Sequence, residues 1–117
     1  MVTSIGSNVS ALQAFSKQMA VSANNVANVY SDEFKKSRAI NTEDDNGGVK
    51  TTITKVDTPG PLVEDPLSKT SELKELSNTD IAEEIVNQIV AEHGFNANAQ
   101  VIKSYEETTG SLIDLIG

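Results

Sequence analysis

SNTDIAEEIVNQIVAEHGFNANAQVI, residues 77–102, reads as the start of one long helix that continues close to Leu115, and the fold follows from it. Ser77, Asn78 and Asp80 are helix-capping types, whose side-chain oxygens accept from the free N–H groups of a first turn. Asp80 and Glu83 have capping-box spacing. Glu83 and Glu84 then fall where the helix dipole favours anions. Ile81, Ile85, Gln88, Glu92, Phe95, Ala99, Ile102, Glu106, Thr109, Ile113 and Ile116 alternate three and four apart, which predicts a heptad-like seam diluted by its polar members. Gly94 and Gly110 each cost about 1 kcal/mol against Ala in a helix interior, so each marks a place where the helix can break.

The other end of the chain predicts a second long helix, from about Ser4 to about Asn28. Ile5, Leu12, Met19 and Val26 recur every seven residues, with Val9, Phe15 and Ala23 beside them. That is an apolar stripe of the width a helix uses against a neighbour. Its opposite face is Ser, Gln, Asn and Lys17, polar but hardly charged. Asn24, Asn25 and Asn28 are poor helix-interior residues and suit a fraying end or a cap. Helices of roughly 25 and 37 residues would measure about 37 and 55 Å, whereas a compact domain of this size has a radius of gyration near 13 Å. The longer seam therefore outruns what its own chain can cover, and it must meet a partner or stay partly unfolded alone.

Between the helices the composition changes, and all three prolines fall there. Residues 41–48, NTEDDNGG, read as an acidic turn or loop. Val49, Thr51 and Ile53 alternate with Lys50, Thr52 and Thr54, a short strand signal. TPGP at 58–61 stops any regular element. Leu62 and Val63 suit a second short strand, and SELKEL at 71–76 suits a turn of helix leading into the cap. The fold class expected is mainly α: two long terminal helices packed as an antiparallel coiled-coil-like pair, with a small extended or β-hairpin middle. The segments run 1–38, 39–76 and 77–117.

The composition narrows function by subtraction. Seventeen acids against nine bases give a net charge of −8, which disfavours nucleic acid as a partner. Cysteine is absent, and His93 stands alone without a second metal ligand or acid–base partner; a solvated helix histidine is the expectation. Glu83 and Glu84 point about 100° apart on a helix and cannot converge on one ion. The acidic loop fails as an EF-hand, since Ile53 stands where a bidentate Glu belongs. No nucleophile elbow or phosphate loop is present. No enzyme activity, cofactor, metal or small-molecule substrate is expected. FKKSR at 34–38 is the one cluster of positive charge, expected to be solvated or to face an acidic neighbour. No basic start followed by an apolar run is visible, so a cleaved secretory leader is not expected. No apolar run is long enough to span a bilayer.

Three stretches carry a resemblance. SANNVANV at 22–29, FKKSR at 34–38 and the quoted 77–102 are similar to the bacterial flagellar rod and hook family of axial proteins, and among them to the short proximal-rod subunits. The resemblance implies paired terminal helices packed into a tubular layer, a variable middle, and unfolded export through the flagellar axis without a cleaved leader. It implies a structural subunit of the basal-body rod that crosses the periplasm and passes on torque. Its partners would be other rod proteins, copies of itself and the export apparatus. By position, Asn24, Asn25, Val26, Ala27 and Asn28 stand where the family's Asn-Asn-x-Ala-Asn motif ends the first helix. Phe34 and Lys35 stand where it has an aromatic and a Lys after a tight turn. Asp80, Glu83, Glu84, Asn96, Ala97, Asn98 and Ala99 stand in an acid-rich start and an Ala-Asn-Ala core. Ser31, Asp32 and Glu33 depart from the family's Thr-Pro-Gly or Thr-Asp-Gly. Because Glu disfavours positive φ, a different turn is expected there. The expected assembly interface comprises Ile5, Leu12, Phe15, Met19, Asn24, Asn25, Val26, Asn28 and Phe34 from the first part of the chain. From the last part it takes Ile81, Ile85, Phe95, Asn96, Asn98, Ala99, Ile102, Ile113 and Ile116. A secreted helical adaptor or chaperone-type module, using the same faces to hold one partner, is the alternative reading.

Overall fold

Each long helix needs a surface to pack on, and in the computed structural model, which describes residues 2–116, each finds it mainly in the other. The order is α1 (Val2–Ala27), β1 (Ser37–Glu43), β2 (Val49–Lys55), β3 (Leu62–Glu64), β4 (Leu73–Glu75) and α2 (Ile81–Ile116). Asn25 lies against Glu84 and Phe15 against Gly94, so the helices run antiparallel, as the seven-residue patterns predict. Asp80 caps α2: its Oδ1 accepts from the N–H groups of Ala82 (3.0 Å) and Glu83 (3.4 Å). The capping box does not close in the expected way, because the Glu83 carboxylate reaches out to Lys36 Nζ at 2.9 Å. No break occurs at Gly94 or Gly110; α2 is continuous through both.

The seam differs from the expected one in phase and in chemistry. Along α2 its centre runs through Glu84, Gln88, Ala91, Asn98, Ile102, Tyr105 and Thr109, all buried or half-buried. Gln88, Ile102 and Thr109 are shared with the expected column, but Glu84, Ala91, Asn98 and Tyr105 replace Ile85, Glu92, Ala99 and Glu106. On α1 the buried centre is Ala11, Ala14, Ser22 and Asn25, and the stripe of Ile5, Leu12, Met19 and Val26 flanks it half-buried. The physical reason is close approach. Small side chains let the two backbones draw together, which places bulky ones beside the contact line rather than on it. At Gly94 the approach leaves no room for a side chain: a Cβ there would sit 2.6 Å from Cε1 of Phe15.

The middle of the chain forms two separate antiparallel hairpins. β1 pairs with β2 from Ser37 opposite Lys55 to Glu43 opposite Val49, and it lies back along α1, where the Val49 N–H donates to Ser10 Oγ at 3.0 Å. The Val49–Thr51 alternation is the predicted strand; its partner SRAINTE carries too few apolar residues to announce itself. β3 pairs with β4. SELKEL therefore supplies a strand where a helical turn is expected, because neighbours claim its backbone: Leu76 N–H donates to Pro61 O at 2.8 Å and Glu75 O accepts from Glu33 N–H at 2.9 Å. Gly60 is buried beneath this crossing, with the Leu76 carbonyl where a Cβ would be. The β3–β4 pair packs on neither helix. The 36 residues of α2 account for about 54 Å of an 81 Å long axis, so this flap extends the molecule beyond the helix pair.

The φ of Glu33 is 61°, so the turn before Phe34 takes the left-handed conformation that glycine adopts freely, at a cost on the order of 1 kcal/mol for a residue with a side chain. The bond from Glu33 N–H to Glu75 O holds it there.

The Gly94 contact yields a stability test. Gly94→Ala gains about 1 kcal/mol of helix propensity but displaces the Phe15 ring, a strain of about 1–3 kcal/mol. In urea denaturation the variant should be no more stable than the parent, whereas in a Phe15→Leu background, which lacks the opposing ring atoms, it should stabilise by about 1 kcal/mol. Equal effects in both backgrounds would mean that the ring does not press on the helix.

Candidate functional site

At the end of α1 the chain must reverse into β1 while α2 begins alongside, and one asparagine joins all three. Asn25 is 1% exposed. Its Oδ1 accepts from Ser37 N–H at 3.0 Å, and its Nδ2 donates to Ser37 O at 2.8 Å and to Glu84 Oε1 at 3.0 Å. The amide thus copies one rung of a β-ladder at the root of the hairpin and fixes the register of α2. Ser22 Oγ donates to the Glu84 carbonyl at 3.1 Å. Asn25 is therefore no fraying residue: an amide disfavoured by helix propensity is retained where buried backbone groups need partners.

A second asparagine works on the other side of the reversal. Asn78 Oδ1 accepts from Lys36 N–H at 2.6 Å, and Nδ2 donates to the carbonyls of Val56 (2.8 Å) and Thr58 (2.9 Å). The basic patch faces acids of its own chain: Lys36 pairs with Glu83, and Lys35 with Glu75, while Arg38 stays exposed. Lys35, then the Gly60 N–H, hold the Glu75 carboxyl below its ordinary value of 4.5. The surrounding cleft, about 230 Å³, is lined by Gln18, Lys36, Arg38, Glu83 and Asn87 among others. Within it Lys36 pairs with Glu83, and Asn25 and Ser22 bond to Glu84, an arrangement suited to fixing geometry. Among the described residues no three His, Asp or Glu converge to hold a metal ion, and His93 is exposed.

Apart from Asn25, the expected interface residues whose side chains are described fall into three sets. Phe15, Met19, Phe95 and Asn96 come together along an open apolar groove of about 440 Å³ between the helices, and Leu12 meets Phe95 on an adjoining one. Ile5, Val26, Asn28, Phe34, Asn98, Ala99 and Ile102 are half-buried within the chain. Asn28 shapes the turn by accepting from Ser31 Oγ at 3.0 Å, and Asn98 Nδ2 bonds back to the Gly94 carbonyl at 2.8 Å. Asn24, Ile81, Ile85 and Ile113 are exposed, and the side chain of Ile116 lies outside the described residues. Sequence reasoning missed Val86, Ile89 and Val90, which with Ile85 form a β-branched patch about half exposed on α2, with Val90 bordering the cleft beside α1. The signal was present: apolar residues at i, i+1, i+4 and i+5 are too broad for one seam to bury. It also missed Ser22, Asn78 and the seam role of Glu84, whose polarity argued for the surface.

Residues 5–30 match the family described as flagella basal body rod protein, and residues 73–115 match the C-terminal family of the flagellar basal body rod FlgEFG proteins. The chain belongs to the flagellar rod and hook family. Its members are structural components of the flagellum. The flagellar hook protein FlgE of Escherichia coli (strain K12) is 42% identical over 41 residues, and so is that of Salmonella typhimurium; the match covers 35% of this chain and 10% of the hook proteins. The chain thus corresponds to a small part of the length of these relatives. The two matched segments bring together α1 and its turn with β4 and α2, the parts that Asn25 and Asn78 tie to the middle of the chain.

The clamp yields two tests. Asn25→Asp keeps the acceptor but removes both donations and sets two carboxyl groups side by side. It should destabilise by about 3 kcal/mol or more in urea denaturation, and Glu84→Gln in the same chain should recover much of that loss by restoring a donor. Additive losses would show that the two side chains do not act together. Glu75, whose carboxyl is depressed, contributes stability that is complete above the ordinary carboxylate range and lost as pH falls through its lowered value. Protection of the Gly60 and Leu76 amides, taken relative to their intrinsic exchange rates, should therefore fall as pH drops below the ordinary carboxylate range, and Glu75→Gln should flatten that dependence.

Proposed function

We propose that this chain is a structural subunit of the flagellar basal-body rod, of the short proximal type, which assembles axially through its terminal helices and transmits torque without turning over any substrate. The observation that carries the reading is the uncovered patch of Ile85, Val86, Ile89 and Val90 on a helix of matched family sequence. Completing the burial of each would contribute roughly 1 kcal/mol, about half the value for a whole side chain. Contacts of that size are weak singly and rigid when repeated through an array. The groove at Phe15 and Phe95 offers neighbours a second foothold. In this reading the partners are copies of the chain and other rod proteins. In the same reading the chain reaches its place through the flagellar export apparatus, in the part of the flagellum that crosses the periplasm.

Hook–basal bodies purified from the source bacterium should contain the chain at a few copies each by mass spectrometry. Ile85→Glu with Ile89→Glu should remove it from them and abolish swimming while the exported protein persists. Basal bodies that hold the other rod proteins but lack this chain would overturn the reading, and a discrete soluble complex in its place would establish the adaptor alternative.

A further inference from the structure

The β1–β2 hairpin has two faces of opposite character. Ser37, Ala39, Asn41, Val49 and Thr51 alternate toward α1 and are half-buried, while Glu43, Ile53 and Lys55 share their face and are exposed. The residues between them, Arg38, Ile40, Thr42, Lys50, Thr52 and Thr54, point away and are all exposed. This outer face carries two cations and no carboxylate. Neither Arg38 nor Lys50 has an ion pair among the described residues. Its remaining surface is the side chain of Ile40 and the methyl groups of three threonines.

The C-terminal half of α2 is its complement. Of the charged side chains in α2, six are carboxylates, set against Lys103 alone. Glu83 and Glu84 are used at the clamp. Glu106, Glu107 and Asp114 are exposed and have no ion pair among the described residues. Beside them Leu112, Ile113 and Leu115 are 55%, 63% and 84% exposed. The antiparallel register that sets Asn25 against Glu84 leaves no described residue of α1 facing α2 beyond about Glu107. A seven-residue strand spans about 23 Å, and residues 101–116 of a helix about 24 Å, so the two surfaces match in length.

We propose that the outer face of the β1–β2 hairpin is a docking surface for the C-terminal half of α2 from a second copy of this chain. The proposal deepens the rod reading and rests on it for the premise that copies meet. Opposite unpaired charge selects the occupant: the surface excludes a second hairpin, which would set cation on cation, and accepts an acidic helix with an apolar stripe. Because different patches meet, the contact is heterologous, and repeating it builds an open row rather than a closed dimer. The hairpin lies outside the family-matched segments.

The absence of cysteine permits a direct test. Full-length Thr52→Cys and Ser111→Cys chains, one enlarged by a tag, are mixed and oxidised. Within one chain these positions lie roughly 25 Å apart along the helix axis, far beyond the 7 Å that a disulfide spans, so only contact between copies joins them. The mixed dimer should exceed either like-with-like dimer by at least five-fold and decline as salt screens the charges. Arg38→Glu with Lys50→Glu in the first chain should abolish it. Glu107→Lys with Asp114→Lys in the second should then restore it, with circular dichroism confirming that each variant is folded. Like-with-like cross-links, no cross-link, or indifference to charge reversal would overturn the proposal. Basal-body composition decides the rod reading separately. A chain present in basal bodies that fails to cross-link loses only this pairing, and one that cross-links but is absent from them loses only the rod assignment.

Discussion

One carboxamide sets the architecture. Asn25 gives its oxygen and nitrogen to the backbone of Ser37 and its second proton to Glu84, so the end of α1, the root of the hairpin and the first turn of α2 are located by a single side chain. Neither a hydroxyl nor a carboxylate supplies an acceptor and two donations at once. The site is buried, which raises the cost of every unmade bond. Asn78 repeats the device one layer outward, holding Lys36, Val56 and Thr58. With the reversal locked at both points, the register of a helix pair that overlaps over about 39 Å follows from contacts at one end.

The outline of this arrangement was legible in the sequence because it rests on periodicity and caps. Seven-residue recurrence at both ends, Asp80 before an acidic first turn, and prolines confined to the middle lead directly to two antiparallel helices and a small β region. The interior was not legible, and the reason is specific. Hydrophobic patterning assumes that the most apolar column faces the partner. Here Ala11, Ala14 and Ala91 are buried beside Ser22, Asn25 and Glu84, while Ile85, Val86 and Ile89 are left to solvent. A rule that ranks residues by hydropathy puts the seam one position out of phase, on the surface that this chain leaves open. β4 was hidden for a different reason: LKE has no strand pattern of its own and becomes a strand because Glu33 and Pro61 claim its neighbours.

The same inversion separates the two tasks of the helices. Contacts within the chain are small, polar and directional, which sets register without burying much apolar area. The large aliphatic residues are kept for the outside, where association with neighbours can bury them. At Glu33 the chain tolerates a left-handed backbone without glycine, because the β4 carbonyl and the lysine–carboxylate pairs around it hold the turn in place.

A thin interior also bears on how such a subunit is stabilised. Hydrophobic stabilisation scales with apolar area removed from water, and the fully buried apolar side chains among the described residues are three alanines. A fold held this way resists unfolding weakly as a monomer and gains its stability from neighbours, since anything that binds only the folded form shifts the equilibrium toward it. The polar clamp then has a role that hydrophobic packing could not fill. It specifies one register while contributing modest net energy per bond, about 0.5–1.5 kcal/mol, so a chain with few buried apolar side chains can still settle into a single geometry.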